Sequence, residues 1–251
     1  MKRLATLPFV LAILCALVAI PPATSADGTL QTLPFSQNWS NTGLITADDD
    51  WSGVPGIIGY RGDNITAVTG ADPQTLTADV ATPVDVNANQ VDPTAFFTGG
   101  CTEFELANPA VAIYGSGTAD APHLVFHITT IGKQNINVSY KLRDVEAGVD
   151  DAIQQVALHF RVGNTGPWTN VPAAYVADAT TGGTDTQETN VSVALPVAVD
   201  NQSEVQIRVM TTNAVGNDEA TGVDDILITG DDMPTPTRST SWGKVKSSFR
   251  Y

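Results

Sequence analysis

The sequence predicts an all-β protein built as an antiparallel, two-sheet β-sandwich. Apolar and polar residues alternate with a period of two in several segments of residues 27–232, as expected of strands with one buried face. Gly, Pro, Asn and Asp separate these segments and predict turns between them. We find no helical period of useful length in this region. One-sided strands joined by long loops favour two packed sheets over a parallel α/β sheet.

Six segments carry the alternation, and each is predicted to be a strand: His123–Thr129, Ile136–Arg143, Gln155–Val162, Val191–Leu195, Val205–Val209 and Gly222–Gly230. The last is the closing strand, in which the acidic pair Asp224 and Asp225 interrupts an apolar alternation. Their apolar faces predict that these side chains point into the core: Phe126, Val138, Tyr140, Leu158, Phe160, Ile207 and Val209. His127 and Arg161 fall on the opposite side and are predicted to point away from the core.

The chain divides into three parts. Residues 1–26 have the features of a removable export signal: a basic start, an apolar run over Leu4–Ile20, and small residues at Thr24–Ala26. The apolar run is short for a membrane anchor, so no membrane span is expected after cleavage. Residues 27–232 form the predicted β-sandwich domain, and residues 233–251 a Pro/Thr linker with a basic tail. We therefore expect a secreted or cell-surface protein.

Charge and cysteine content narrow the range of partners. The chain has 27 Asp and Glu against 12 Lys and Arg, which gives a formal net charge of −15. Such a surface repels nucleic acid and anionic lipid, so neither is an expected partner. Cys101 is the one cysteine left after signal cleavage, which rules out an intramolecular disulfide and favours a buried, inert thiol.

The segment Phe35–Pro55 resembles the opening of a jelly-roll-like module found in bacterial secreted multidomain proteins. That module often precedes catalytic domains of the endonuclease/exonuclease/phosphatase type. The segments Val84–Gln90, Gly115–Pro122, Asn213–Asn217 and Gly222–Ile226 are similar to further parts of it, so the resemblance spans residues 33–230. It implies a non-catalytic jelly-roll-like domain. The sequence has no recognisable Asn, Asp, Glu and His constellation for metal-dependent phosphodiester cleavage, so the catalytic domain is not expected here.

Candidate binding residues lie on the polar faces of the predicted strands. The cationic side chains there are His127, Lys141, Arg143, His159, Arg161 and Arg208. If these strands neighbour one another, they form a cationic stripe suited to an anionic saccharide. Internal pairing with Asp and Glu is the alternative. Trp51 and Trp168 are candidates for stacking on sugar rings, although each ring could instead plug an end of the sandwich.

Carboxylates near the first and last strands suggest a structural calcium site. Calcium takes six to eight oxygen ligands, and the first and last strands of a jelly roll meet. The candidate ligands are Asp48, Asp50, Asp218, Asp224 and Asp225. The alternative is that Asp224 or Asp225 accepts backbone hydrogen bonds and holds no metal. His123 and His127 would lie about 13 Å apart on a strand, too far to share a zinc ion.

The sequence favours a secreted, non-catalytic binding or adhesion module for a glycan or cell-surface component. The first alternative is a structural surface or matrix protein attached through its C-terminal tail, which secretion or envelope machinery would recognise. Docking of the basic tail onto acidic loops competes with that role. The second alternative is an accessory part of an extracellular hydrolase or nuclease system, and it is disfavoured because no nucleophile–base pair or acid–base pair is visible.

Overall fold

The computed structural model describes residues 25–148 and 152–235. Residues 1–24 of the predicted signal and the tail after Thr235 lie outside the described residues. The strands, in chain order, are β1 (Ser25–Ala26), β2 (Gln31–Thr32), β3 (Phe35–Gln37), β4 (Asp50–Trp51), β5 (Ile57–Tyr60), β6 (Asn87–Gln90), β7 (Gly100–Phe104), β8 (Ala110–Tyr114), β9 (His123–Thr129), β10 (Lys133–Asp144), β11 (Ala157–Val162), β12 (Thr169–Asn170), β13 (Glu188–Ala194), β14 (Val205–Met210) and β15 (Thr221–Asp232). Single 3₁₀ turns occur at Thr42–Leu44, Pro73–Thr75, Pro172–Ala174 and Val197–Val199. Within the described ranges no helix has the length and apolar character needed to span a membrane.

Two sheets form the sandwich. The seven-stranded sheet has the order β13-β10-β15-β8-β7-β6, with β3 also pairing with β15. The six-stranded sheet has the order β12-β11-β14-β9-β2, with β5 also pairing with β9. Strands β1 and β4 form a separate parallel pair, and β2–β9 and β6–β7 are parallel too, while the other pairs are antiparallel. The predicted β-sandwich class is confirmed.

The core lies between the two sheets and contains the whole predicted inward set. Phe126, Val138, Leu158, Ile207 and Val209 are fully buried, and Tyr140 and Phe160 are nearly so. All of them belong to one apolar cluster. The pairing of Leu158 with Val209 and of Phe160 with Ile207 sets these side chains opposite one another on the inner face. The predicted register of these strands is therefore confirmed.

The acidic pair in the last strand occupies a β-bulge. Between Ser139 and Lys141 of β10 the pairing shifts from Leu227 to Asp224, so β15 carries one extra residue. Asp225 adopts a φ of 48°, the left-handed conformation that Asp tolerates better than most residues. The bulge resets the alternation, and both Val223 and Ile226 therefore point into the core.

Strands β7 and β8 were not predicted because neither alternates. All five residues of each strand are buried. On the side away from the main core, Phe104, Ala110, Ala112 and Tyr114 form a second apolar cluster with Val145 and Ala220. A strand covered on both faces has no polar side to mark it in a sequence.

Candidate functional site

The candidate site lies on the outer face of the six-stranded sheet, where register places five polar side chains and one valine in two rows. One row runs across three strands through His127 of β9, Gln206 of β14 and Arg161 of β11. The adjacent row runs through Val125, Arg208 and His159. Neighbouring strands are about 4.8 Å apart, so side chains within a row can touch.

Residues 61–83 cover part of this face. The excursion starts and ends at one place, because Tyr60 and Val84 form a β-bridge and Arg61 N donates to Pro83 O at 3.2 Å. Thr77 O, inside the excursion, accepts a hydrogen bond from Trp168 N at 2.8 Å. A long connection that is fixed over a sheet commonly serves a function. The excursion therefore separates part of the polar face from the solvent.

A cavity of about 330 Å³ remains between the excursion and the sheet. Residues 79–82 of the excursion form one side of it. The sheet side and the walls include Tyr60, His123, His127, Arg161, Trp168 and Arg208. His159 lies next to Arg208 but is not part of the lining. Four of the predicted binding residues are thus brought to a single cavity.

Arg161 is fixed in place by three hydrogen bonds. Its Nη1 donates to Asp79 Oδ1 at 2.7 Å and to Gly166 O at 3.1 Å, and its Nε donates to Gln206 Oε1 at 2.8 Å. Asp79 also accepts from Gly166 N at 2.8 Å. The guanidinium beside Asp79 holds the pKa of that carboxyl below its usual value. Asp79 is therefore ionised and compensates one positive charge at the site.

The contact between Arg161 and Gln206 determines which ring nitrogen of His127 carries the proton. Because Gln206 Oε1 accepts from Arg161, its amide nitrogen faces His127 Nδ1, at 3.2 Å. The amide nitrogen can only donate, so Nδ1 is the acceptor and the proton of the neutral ring sits on Nε2. His127 Nε2 is buried and has no hydrogen-bond partner among the described residues. It is an unused donor at the cavity.

Arg208 is the most deeply buried cation at the site, with 1% of its surface exposed. Its Nη2 donates to Leu76 O and lies 3.3 Å from His159 Nδ1. Its Cζ lies 4.5 Å from the centre of the Trp168 ring, and Arg161 Cζ lies 4.2 Å from the same ring. Cation–π attraction to the tryptophan therefore helps to hold both guanidinium groups. The Arg208 Nε has no partner within the described ranges.

The charge at the cavity comes from the arginines and not from the histidines. Burial lowers the pKa of His123 and His159 to about 3 and that of His127 to about 4, with the nearby guanidinium groups adding to the effect. All three rings are neutral near pH 7. Burial also lowers the pKa of Arg208, but only to about 9, so Arg208 stays protonated.

The proposed single cationic stripe is not formed, because its members lie in different sheets. Lys141 and Arg143 belong to β10 of the seven-stranded sheet, on the outer face opposite the cavity. Arg143 Nη1 lies 3.0 Å from Asp224 Oδ2, and Lys141 Nζ lies 3.2 Å from Glu188 and 3.3 Å from Asp225. For these two residues the alternative of internal pairing with acids is the one observed.

Trp51 is a core residue, and its predicted role in stacking on sugars is wrong. The residue is fully buried, and its Nε1 donates to Asp85 O at 2.9 Å. Its ring packs edge-on against Trp39, with the centroids 6.3 Å apart. Here the alternative fate of a large aromatic side chain, filling the interior, is the one observed.

The carboxylates predicted to bind calcium do not converge. In residues 25–148 and 152–235 no three His, Cys, Asp or Glu side chains are grouped so that they could hold a metal ion. Asp224 pairs with Arg143, and Asp225 with Lys141. Asp48 accepts a hydrogen bond from the distant Ala88 N, and Asp50 accepts one from the nearby Ser52 N, at 2.9 Å each. The carboxylates near the two ends of the chain therefore make separate contacts and do not form one site.

Asp218 lies at a second cavity of about 440 Å³ at one end of the sandwich. Tyr114, Ser116, Asn213 and the exposed ring of Phe97 also line this cavity. Asp218 Oδ1 accepts from Ala214 N at 2.7 Å, and burial raises the pKa of the carboxyl to about 6. The buried nitrogens of His127 and Arg208 that have no hydrogen-bond partner lie at the other cavity, on the sheet, and for that reason we treat the sheet cavity as the candidate site.

The sequence analysis did not assign several members of the sheet cavity to a site, among them Asp79, His123 and Gln206. The Tyr60 ring stacks on His123 with the centroids 5.3 Å apart. Face parity alone points to His123 and Gln206, since each is separated by an even number of residues from a predicted site residue on the same strand. Asp79 and Tyr60 reach the site through the 61–83 excursion and strand order, which have no local sequence signal.

No protein-family model and no curated protein matches the chain. Among solved structures, a Stig cyclase from Fischerella sp. TAU is 13% identical, with a TM-score of 0.41 over 80% of this chain and 100% of the other. The K2 cleaved adhesin domain of Lys-gingipain is 13% identical, with a TM-score of 0.40 over 79% and 99%. A non-crystalline cellulose specific carbohydrate-binding module, CBM28, is 12% identical, with a TM-score of 0.38 over 57% and 88%. Likenesses this distant say nothing about ligand or activity.

Proposed function

We propose that this chain is a secreted, non-catalytic module that binds a glycan in the cavity between the six-stranded sheet and residues 61–83. The observation that supports this most is the set of hydrogen-bonding side chains that line the cavity together with aromatic rings. Arg161, Arg208, Gln206 and His127 supply the polar groups, and Trp168 is among the rings. The cavity volume of about 330 Å³ falls at the small end of the usual range for ligand sites, roughly 300–1,000 Å³.

The chemistry of the lining suits a saccharide. A sugar presents hydroxyl groups that both donate and accept hydrogen bonds, along with less polar ring faces. The unused donors at His127 Nε2 and Arg208 Nε can bind hydroxyl oxygens, and Asp79 can accept from a hydroxyl group. Buried polar groups without partners are costly in a folded protein, so a ligand that satisfies them gains affinity.

Binding without catalysis agrees with the electrostatics of the site. A general base works best with a pKa near the working pH. The three histidines have pKa values of about 3 to 4, which makes each a weak base at neutral pH. Asp79, the carboxylate at the cavity, is engaged by Arg161 and by Gly166 N. The same groups are well arranged to hold a ligand in one orientation.

The proposal can be tested by screening the purified protein on a glycan array and measuring the hits by isothermal titration calorimetry. Trp168→Ala should weaken binding at least tenfold, because the ring helps to position both guanidinium groups. Phe97→Ala, at the second cavity, is the matched aromatic control and should bind as the unchanged protein does. Thermal unfolding of each variant checks the fold, and Trp168→Phe serves if the alanine variant unfolds.

Two results would contradict the proposal. Loss of binding in Phe97→Ala with none in Trp168→Ala would move the site to the second cavity. Binding of no glycan by the folded protein would favour the structural alternative, in which the sandwich serves as a stable body. Detection of the protein in the culture medium or on the cell surface, and its loss there on deletion of residues 1–26, tests the secreted location.

A further inference from the structure

Arg208 differs from the other buried or half-buried arginines in having no acidic partner. Arg61, Arg143 and Arg161 each pair with an aspartate, at 2.6, 3.0 and 2.7 Å. In the described part of the chain, no carboxylate forms an ion pair with Arg208. The residue is nevertheless almost entirely buried, with only 1% of its surface exposed. An unpaired charge taken out of water destabilises the fold, so the arrangement calls for a compensating group.

Two side chains at the cavity have a donor without a hydrogen-bond partner among the described residues. The donors are Arg208 Nε and His127 Nε2, and both residues line the cavity. His127 pairs with Gln206, and Arg208 lies two residues further along β14, so the two residues are diagonal neighbours on one face. Diagonal neighbours are about 7–8 Å apart, which allows the oxygens of one acidic group to reach both side chains.

The charge balance of the cavity also favours an anion. Arg161 and Arg208 carry two positive charges, Asp79 compensates the first of them, and the three histidines are neutral. The site therefore keeps about one positive charge within a chain whose formal net charge is −15. The His127 proton is held on Nε2 through Gln206, so this ring donates to an anion without needing to be protonated.

We propose that the ligand is an acidic saccharide and that its carboxylate or sulfate group binds between Arg208 and His127. This inference rests on the proposed glycan-binding function and specifies its ligand class. Arg208 supplies the charge, His127 a neutral hydrogen bond, and the Arg161–Gln206 contacts keep His127 in the donating form. The neutral part of the saccharide lies against Tyr60 and residues 79–82.

The test compares four probes by isothermal titration calorimetry: trigalacturonic acid, its methyl ester, a sulfated galactose trisaccharide and inorganic sulfate. We expect at least one of the two acidic saccharides to bind at least tenfold more tightly than the ester, in line with the loss of a charge-assisted hydrogen bond. The carboxylate and sulfate arms distinguish the two acidic groups. Arg208→Gln should remove this preference, while Lys133→Gln, the same charge change on the other sheet, should keep it.

The outcomes separate this inference from the function on which it rests. If neither acidic saccharide binds more tightly than the ester, and Arg208→Gln changes nothing, the acidic class is overturned and glycan binding remains intact. If inorganic sulfate binds and none of the saccharides does, both the acidic class and the glycan-binding function are overturned. If Arg208→Gln does not fold, Arg208→Lys tests the same contact, because lysine keeps the charge but lacks Nε; we expect it to lose at least tenfold in affinity for the acid.

Discussion

Arg143 and Asp224 form an ion pair across β10 and β15, with Arg143 Nη1 3.0 Å from Asp224 Oδ2. The Asp224 side chain is 1% exposed and that of Arg143 14%. Arg143 Nη1 also donates to Asn108 O at 3.1 Å, and Asn108 Nδ2 donates to Asp224 at 3.3 Å. Asp224, the first of the two acids that interrupt the last strand, therefore belongs to a hydrogen-bonded cluster with Arg143 and Asn108.

Arg143→Gln should lower the free energy of unfolding by about 3 kcal/mol, because it leaves Asp224 buried without its counter-charge. Urea unfolding followed by fluorescence measures the change. Lys141→Gln is the control on the same strand. Its partners Glu188 and Asp225 are about half exposed, so its loss should be at most about 1 kcal/mol. Equal losses in unfolding free energy for the two variants would mean that the Arg143–Asp224 pair contributes no more to stability than an exposed pair does.

Gly59→Ala should destabilise the fold by about 1–3 kcal/mol through overpacking. A Cβ at Gly59 would lie 2.3 Å from Cζ2 of Trp51 and 2.8 Å from Asp85 O. Trp51 cannot move aside easily, because its Nε1 is hydrogen-bonded to the same carbonyl oxygen. Gly117→Ala is the matched control, since nothing lies within 4 Å of a Cβ there. A thermal melt that separates the two variants by less than about 1 kcal/mol would contradict the tight packing around Trp51.

The part of the fold that sequence predicted is the part with one buried and one polar face. Strands β9, β10, β11, β14 and β15 alternate for that reason, and their inward residues follow. Strands β7 and β8 do not alternate because apolar clusters cover both of their faces. The local sequence shows which side chains share one face of a strand, but it does not show what covers the second face.

The same distinction explains the site. Parity placed His127, His159, Arg161 and Arg208 on the outer side of their strands, which is where they lie. It could not reveal that Lys141 and Arg143 sit on the other sheet, because strand order depends on contacts between residues far apart in the chain. The covering excursion at residues 61–83 and the burial of Trp51 depend on the same distant contacts.

The three histidines should stay neutral down to pH 5. Their folded-state pKa values of about 3 to 4 lie below the unfolded value of about 6.5. The stability that they contribute is therefore fully present above pH 6.5 and is lost as the pH falls from 6.5 to about 3. Imidazole chemical shifts in NMR spectra should be constant between pH 5 and 8, whereas the urea-unfolded chain should titrate near pH 6.5. A midpoint near 6.5 for His127 in the folded protein would contradict its burial beside Arg161.

The Asp218→Asn variant should gain stability relative to the unchanged protein as the pH rises from 4 to 7. Burial raises the folded-state pKa of Asp218 to about 6, above the unfolded value of about 3.9. The folded state thus binds more protons in this window, and the stability that the acid contributes below pH 3.9 is lost as the pH rises through 6. Asparagine stays neutral throughout and can still accept the hydrogen bond from Ala214 N. The difference in unfolding free energy, variant minus unchanged protein, should therefore increase across the window in urea titrations at pH 4, 5, 6 and 7.

Asp50→Asn is the control, because the pKa of Asp50 is shifted in the opposite direction to that of Asp218. The pKa of Asp50 is lowered by its hydrogen bond with Ser52, so its contribution is lost only as the pH falls below about 4. For this variant the difference in unfolding free energy should be constant between pH 5 and 7. A constant difference for Asp218→Asn over the same range would mean that water reaches the carboxylate freely and that the second cavity does not desolvate it.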